Sequence, residues 1–223
     1  MIYRDRIEAA TLLARELSKW RAQDPLVLAI PRGAVEMAKI IAGELQGTLD
    51  VVLVRKLPAP GNPELAIGAV DEGGQVHLVD HAGRSAVSSG YVDGEVAREL
   101  ATIRRRRALY TPGRAPIDPA GRVVIVVDDG LATGATMTAA LNAIRARIPK
   151  HLICAVPVAS GQSIDKVRAW ADEVVCLQEP PFFYAVSQFY RSFPQVDDRE
   201  VVALLSQTGD VRPVEPRATD SPA

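Results

Sequence analysis

Histidine and cysteine are scarce in this chain, with three of the former and two of the latter among 223 residues. Cys154 and Cys176 lie in aliphatic stretches, where a thiol reads as a small buried side chain and not as half of a disulfide framework. His77, His81 and His151 form no spaced cluster with them, which argues against a zinc site. Aromatics make up only 5% of the residues, and no aliphatic run is long enough to cross a bilayer. The first ten residues, MIYRDRIEAA, are charged and lack the apolar region of a secretory signal, so a cytoplasmic location is expected. The formal net charge is −1, so no global basic field points to nucleic acid. Lysine is rare as well, at five against 21 arginines.

What is present is ordinary for a globular protein: 48% apolar and 24% charged residues, over a length that suits one domain with a small accessory lobe. Ile7, Ala10, Leu13, Leu17 and Trp20 recur at helical spacing in residues 4–20. LVLAI (26–30) is a short apolar strand followed by PRGA and a helical stretch. LDVVLVR (49–55) is a second strand, and the three prolines and one glycine of the following KLPAPGNPE predict no regular structure. Further strands are predicted near 67–70 and 75–79, and a long helix over 92–110. The strand 122–127, loop 128–134 and helix 135–148 follow, then the strand HLICAVPVA, the helix SIDKVRAWA and the strand EVVCL. Buried strands alternating with helices imply an α/β fold, a doubly wound and mainly parallel sheet of about five strands with helices on both faces. The expected domain is 1–206, with its core at about 20–178 and an aromatic hood at about 180–206; the polar, proline-rich 207–223 reads as a flexible tail.

The chemistry concentrates in VVIVVDDGLATGAT (123–136), where five aliphatic residues run into two adjacent aspartates and then a Gly/Thr loop without lysine. In such sheets ligands bind at the carboxyl ends of strands, where the strand order reverses. Glycines let the backbone approach a ligand, and the following helix offers free N–H groups and its positive dipole end, which suits a phosphate monoester. The nucleotide P-loop pattern fails because GAT stands where Gly-Lys-Ser/Thr is needed, and IPRGAVEMA has one glycine where a dinucleotide fingerprint needs three. A sugar with vicinal hydroxyls would donate to Asp128 and Asp129 while its 5′-phosphate sits in the loop beyond. The bland alternative, an aspartate turn or N-cap, accounts less well for two adjacent acids after five aliphatics. The run RRRR (104–107) points around a whole helical turn, so a solvated face or subunit contact is expected there.

VIVVDDGLATGAT resembles the signature of type I phosphoribosyltransferases, in which apolar residues, an acid pair and a small-residue/Thr/Gly loop precede a helix. AIPRGA looks like that family's pyrophosphate-binding loop and RKLPAPGNPELAIG like its mobile catalytic loop; the GNPELAIGAV stretch is similar to a branch of uncharacterised bacterial members. Gly130 departs from the pattern, standing where a bulkier apolar residue is usual, and is expected to loosen the turn. The resemblance implies transfer of a phosphoribosyl group from phosphoribosyl diphosphate to a nitrogen heterocycle, with Mg²⁺ as cofactor and pyrophosphate released. It implies catalytic roles for Asp128, Asp129 and Lys56, with 5′-phosphate binding by Ala132, Thr133, Gly134, Ala135 and Thr136. Arg32, Gly33, Arg55 and Lys56 would take the pyrophosphate, and the segment at about 56–66 would be a lid. No direct protein ligand to the metal is implied; Asp128 and Asp129 are candidates to hold it through water. Ala132 stands where 6-oxopurine enzymes of the family carry a basic aspartate, which weighs against hypoxanthine or guanine as acceptor. Six of the eleven aromatics fall in PPFFYAVSQFYRSF (180–193), so Phe182, Phe183 and Tyr184 are candidates for stacking an acceptor; packing of the hood or a dimer seam is the alternative for most of these rings. The family's members are commonly homodimers, and no membrane or nucleic-acid partner is expected. A non-catalytic sensor of phosphoribosyl diphosphate or a nucleotide is the competing functional class.

Overall fold

Apolar runs of four to five residues that bury both faces form the centre of the molecule. The structure is a computed structural model that describes residues 1–78 and 88–206. In chain order its elements are α1 (Arg6–Glu16), β1 (Leu26–Ala29), α2 (Ala34–Leu45), β2 (Thr48–Val51), β3 (Val54–Ala59), β4 (Asn62–Asp71) and β5 (Val76–Leu78). There follow α3 (Ser89–Tyr110), β6 (Val123–Val127), α4 (Ala135–Arg145), β7 (His151–Val158), α5 (Gly161–Arg168), β8 (Glu173–Gln178) and α6 (Asp198–Ser206). His81 and the segment 207–223, expected to be a tail, lie outside the described residues.

Five strands form one parallel sheet in the order β2-β1-β6-β7-β8. Successive side chains alternate between faces. Val27, Ala29, Ile125, Val127 and Ile153 therefore pack toward α1, α2 and α6, while Leu28, Val124, Val126, Leu152 and Cys154 pack toward α4 and α5. Every residue of β1 and β6 is buried, as expected of parallel strands covered on both faces. From β1 the chain winds outward to β2, and from β6 it winds the other way to β7 and β8. The reversal falls between β1 and β6, so residues 30–33 and 128–136 meet at the carboxyl edge of the sheet.

Two expectations change here. The proline-rich stretch after β2 is not irregular: β3 and β4 form an antiparallel hairpin, extended by β5 into a three-stranded sheet. Proline is tolerated because β3 is an edge strand and the register shifts on either side of Pro58. Pro63 lies on β4 outside the stretch Gly68–Val70 that pairs with β5. The arginine run is not uniformly solvated either. Arg104 and Arg105 are exposed and Arg106 is half-buried. Arg107 is buried, donating to Asp50 Oδ1 at 2.8 Å, to both Glu72 oxygens and to the Val51 carbonyl at 2.9 Å. That network joins β2, the end of β4 and α3.

The helix predicted from residue 4 starts at Arg6, with Asp5 as N-cap accepting from the Glu8 amide at 2.9 Å. Its buried stripe is Arg6, Ala9, Ala10 and Leu13, leaving Ile7 44% exposed, so an arginine occupies a core position. After β8 the aromatic segment folds back over this helix. Tyr3 and Tyr190 form an isolated bridge, with Tyr3 N–H donating to Phe189 O and Arg191 N–H to Tyr3 O, both at 2.8 Å. No helix among the described residues is long and apolar enough to cross a membrane.

Candidate functional site

The acid pair closes β6 at the strand-order reversal. Asp129 N–H donates to Asp128 Oδ1 at 2.9 Å, which orients the first carboxylate by the backbone of the second. The two are not uncompensated. Arg6 reaches across from α1 and places Nε and one terminal nitrogen each 2.9 Å from Asp129 Oδ2. Its other terminal nitrogen donates to Pro194 O at 2.8 Å, and its guanidinium lies 3.8 Å from the Phe193 ring centroid. Tyr190 Oη donates to the Asp129 carbonyl at 2.7 Å. Asp129 is thus clasped from α1 and from the aromatic segment together. Burial pushes the Asp128 carboxyl well above the usual carboxylate range, and the neighbouring Asp129 charge adds to it. Asp129 is also pushed up, burial outweighing the opposing effect of Arg6.

Gly33, at the start of α2, faces the same carboxylate. A Cβ there would stand 2.3 Å from Asp129 Oδ2, so only glycine admits the close approach of β1's loop to β6's loop. The preceding Pro31–Arg32 peptide is cis. Arg32 points toward α6, 3.9 Å from Asp198, whose Oδ1 accepts from Tyr110 Oη at 2.6 Å.

The loop 131–136 is oriented by α5. Ser163 Oγ donates to Leu131 O at 3.1 Å, Ser160 Oγ to Ala132 O at 3.0 Å, and Lys166 Nζ to Thr133 O at 3.3 Å. Three successive carbonyls are held toward α5, and peptide planarity turns the amides of Ala132, Thr133 and Gly134 the other way. Among the described residues none of these three amides donates a hydrogen bond within the protein. Thr133 Oγ1 accepts from Ala135 N–H at 3.4 Å at the entry to α4. Gly134 has φ +73°, and a Cβ would stand 3.2 Å from Ser163 Cβ, so glycine serves both the turn and the approach of α5. A concave set of free amides at a helix N-terminus binds anions.

Beside the switch point a cleft of about 750 Å³ opens between the β3–β4 hairpin and α4. Arg55, Lys56, Thr133, Ala135 and Thr136 line it, as does Pro31. The candidate residues fall into two groups: the acid pair and Gly33 lie at the switch point, the hairpin cations along the cleft. Arg55 is ion-paired with Glu99 at 2.7 Å. Of the hood rings, Phe182 and Tyr184 are 73% and 86% exposed, whereas Phe183 packs on Phe189 with centroids 5.3 Å apart. Gly130 does not loosen the turn. A Cβ there would meet Val186 methyls at 2.7 and 2.9 Å and Val158 at 3.0 Å, so the missing side chain is what lets the aromatic segment close on β6. Arg6, Tyr190, Ser160 and Ser163 were not foreseen. Only Arg6 left a trace in the sequence, as a charge on the stripe that includes Leu13.

A family model described as the phosphoribosyl transferase domain matches residues 4–193. Proteins from two strains of Mycobacterium tuberculosis, provisionally named phosphoribosyl transferases, are 40% identical over 207 residues, covering 92% of this chain and 47% of theirs. The chain spans about half the length of the curated relatives it matches. The crystal structure of TT1426 from Thermus thermophilus is 42% identical with a TM-score of 0.85, over 94% of this chain and 100% of that one. With the acid pair, the oriented amide loop and the switch-point location all in the matched region, the chain belongs to the phosphoribosyltransferase family.

Proposed function

We propose that the protein transfers a 5-phosphoribosyl group from phosphoribosyl diphosphate to a nitrogen of a heterocyclic acceptor and releases pyrophosphate. One observation carries the reading: two carboxylates at the end of β6 are followed, three residues on, by three undonated amides whose carbonyls are tied back to α5. Carboxylates accept from vicinal hydroxyls, and free amides receive a phosphate; a ribose 5-phosphate presents both groups on one ring.

In this reading Asp128 and Asp129 accept from the ribose hydroxyls and lend negative charge to a ring that becomes cationic as the leaving group departs. Ala132 to Thr136 hold the 5′-phosphate through backbone N–H groups. Arg32, Arg55 and Lys56, with the Gly33 backbone, receive the diphosphate. The β3–β4 hairpin closes over the bound donor and excludes water, limiting hydrolysis. Phe182 and Tyr184 are the rings exposed for stacking on a flat acceptor.

The donor set suits magnesium brought in with the substrate and not an ion held by the protein alone. Among the described residues no group of three or more His, Cys, Asp or Glu side chains could hold a metal, and Arg6 already occupies Asp129 Oδ2. Asp128 and Asp129 would hold the ion through water, and magnesium there would neutralise charge on the diphosphate.

The test is pyrophosphate release from phosphoribosyl diphosphate with Mg²⁺ and a panel of nitrogen heterocycles. Release that requires one acceptor and is lost in Asp128→Asn and Asp129→Asn is expected. Acceptor-independent release unaffected by those variants would overturn the roles. Tight donor binding with no turnover on any acceptor would favour the sensor.

A further inference from the structure

We propose that Asp198, on the first turn of α6, competes with the diphosphate for Arg32 and so lowers the protein's affinity for pyrophosphate. This rests on the reading of Arg32 as a ligand of the diphosphate group.

Arg32 stands in the loop that carries β1 into α2, between Pro31 on the cleft wall and Gly33 against Asp129. The close approach at Gly33 fixes the backbone there, so the guanidinium changes place by turning its own side chain. In the structure it is turned to α6, 3.9 Å from Asp198 Oδ1, with both side chains a little under half exposed. That distance lies within the range of an ion pair and beyond that of a hydrogen bond. Among the described residues no other carboxylate lies within ion-pair distance of Arg32, and its side chain donates no hydrogen bond. The contact therefore draws the guanidinium aside while leaving its N–H groups free for another anion.

Asp198 is a fixed competitor. It shares one face of α6 with Val201 and Leu205, both buried, so an aspartate heads the apolar stripe of that helix. It is not needed as a cap. Asp197 Oδ1 accepts from the Glu200 amide at 2.9 Å and Glu200 Oε2 from the Asp197 amide at 2.7 Å, a reciprocal capping box. What holds Asp198 is Tyr110, whose buried ring brings its hydroxyl 2.6 Å from the same Oδ1 that faces Arg32. Burial, with the hydrogen bond and charge of Asp198, pushes that hydroxyl up to about 12, so it donates throughout the neutral range. A carboxylate tethered in this way does not follow the guanidinium. When Arg32 turns to a diphosphate, Asp198 stays behind, deprived of its cation and facing a polyanion. Both consequences oppose binding. A carboxylate that merely braced Arg32 would raise the affinity instead, so the sign of the effect separates the two roles.

Calorimetric titration with inorganic pyrophosphate, ribose 5-phosphate and phosphoribosyl diphosphate, each with Mg²⁺, tests this. Asp198→Asn keeps an oxygen for the Tyr110 hydroxyl and removes the charge. It is expected to tighten pyrophosphate and phosphoribosyl diphosphate by about threefold to fivefold, the scale of a half-exposed ion pair, and to leave ribose 5-phosphate within about twofold. Asp198→Ala, which also drops the Tyr110 bond, should tighten pyrophosphate in the same way even where thermal melts show a less stable fold; damage to the fold weakens binding and cannot produce the gain. Arg32→Met should weaken pyrophosphate, and adding Asp198→Asn to it should change nothing further. Unchanged or weakened pyrophosphate binding in both Asp198 variants would overturn the proposal. So would a gain that persists in the Arg32→Met background, which through-space repulsion alone produces. Wild-type pyrophosphate affinity in Arg32→Met would instead overturn the role given to Arg32, and a wild-type protein that binds neither pyrophosphate nor phosphoribosyl diphosphate would overturn the site itself.

Discussion

Replacing Arg6 by methionine removes a guanidinium but keeps an unbranched side chain on the buried stripe of α1. The side chains of Arg6 and Asp129 are 7% and 17% exposed, so their pair is largely shielded from solvent. The substitution deletes two contacts to Asp129 Oδ2, one to Pro194 O and the stacking on Phe193. Removing one partner of a buried pair costs about 3–5 kcal/mol, and the lower figure applies here because Asp129 can take up a proton. For a domain of this size about 3 kcal/mol corresponds to a fall in Tm of about 6–12 °C. The pH dependence has a definite sign. Losing Arg6 raises the Asp129 carboxyl further, so the penalty for ionising it is present above its folded-state pKa and is relieved as pH falls through that value. The gap between wild type and Arg6→Met should therefore narrow on acidification. Thermal denaturation across pH, with Asp129→Asn and the double variant completing a cycle, measures the coupling directly. Arg6→Met melting with the wild type, or a coupling energy under about 0.5 kcal/mol, would refute the clasp.

Three further outcomes follow from particular contacts. Asp128→Asn should raise the Tm of the ligand-free protein near neutral pH while abolishing donor binding, because it removes a desolvated carboxyl repelled by its neighbour; the gain should shrink as pH falls toward the ordinary carboxylate value, and a destabilised variant at neutral pH would contradict the burial argument. Gly130→Ala should cost about 1–3 kcal/mol by driving a methyl into Val186 and Val158, and Val186→Ala should recover part of that in urea denaturation. Tyr190→Phe should cost about 1 kcal/mol through the lost bond to Asp129 O and raise the KM for the donor, whereas an unchanged KM would separate the hood from the acid pair.

What was legible in the chain is what is local. LVLAI and VVIVV needed no register to be recognised, since strands buried on both faces are apolar throughout. The acid pair and its loop are contiguous, so their order alone carries their geometry. The hairpin of β3 and β4 is not legible because proline reads as a breaker, a rule that holds for central strands. Pro58 stands on an edge between two register shifts, where no ladder bond is lost. The packing role of Gly130 is hidden for a related reason. From its neighbours it is a gap in an apolar pattern; in space it is the seat of Val186, 56 residues later.

The cations that organise the site were hidden by sequence distance, yet they share a mark. Arg6 is 123 residues from Asp129, but it lies on the stripe with Ala9, Ala10 and Leu13. Arg107 lies with Ile103 and Tyr110 on α3 in the same way, and it meets Asp50, the one acid within β2. A guanidinium on the apolar face of a helix implies a buried acceptor, because an unpaired charge there is too costly. An acid within or directly after an apolar strand implies a buried donor by the same reasoning. Arg6, Arg107 and the strand-borne aspartates fit that rule. It does not say which arginine meets which aspartate, since attraction between charges has no sequence register. The sheet order supplies the answer: α1 packs on the face beneath the end of β6, and α3 runs past the end of β2, so each arginine finds the acid its own layer covers.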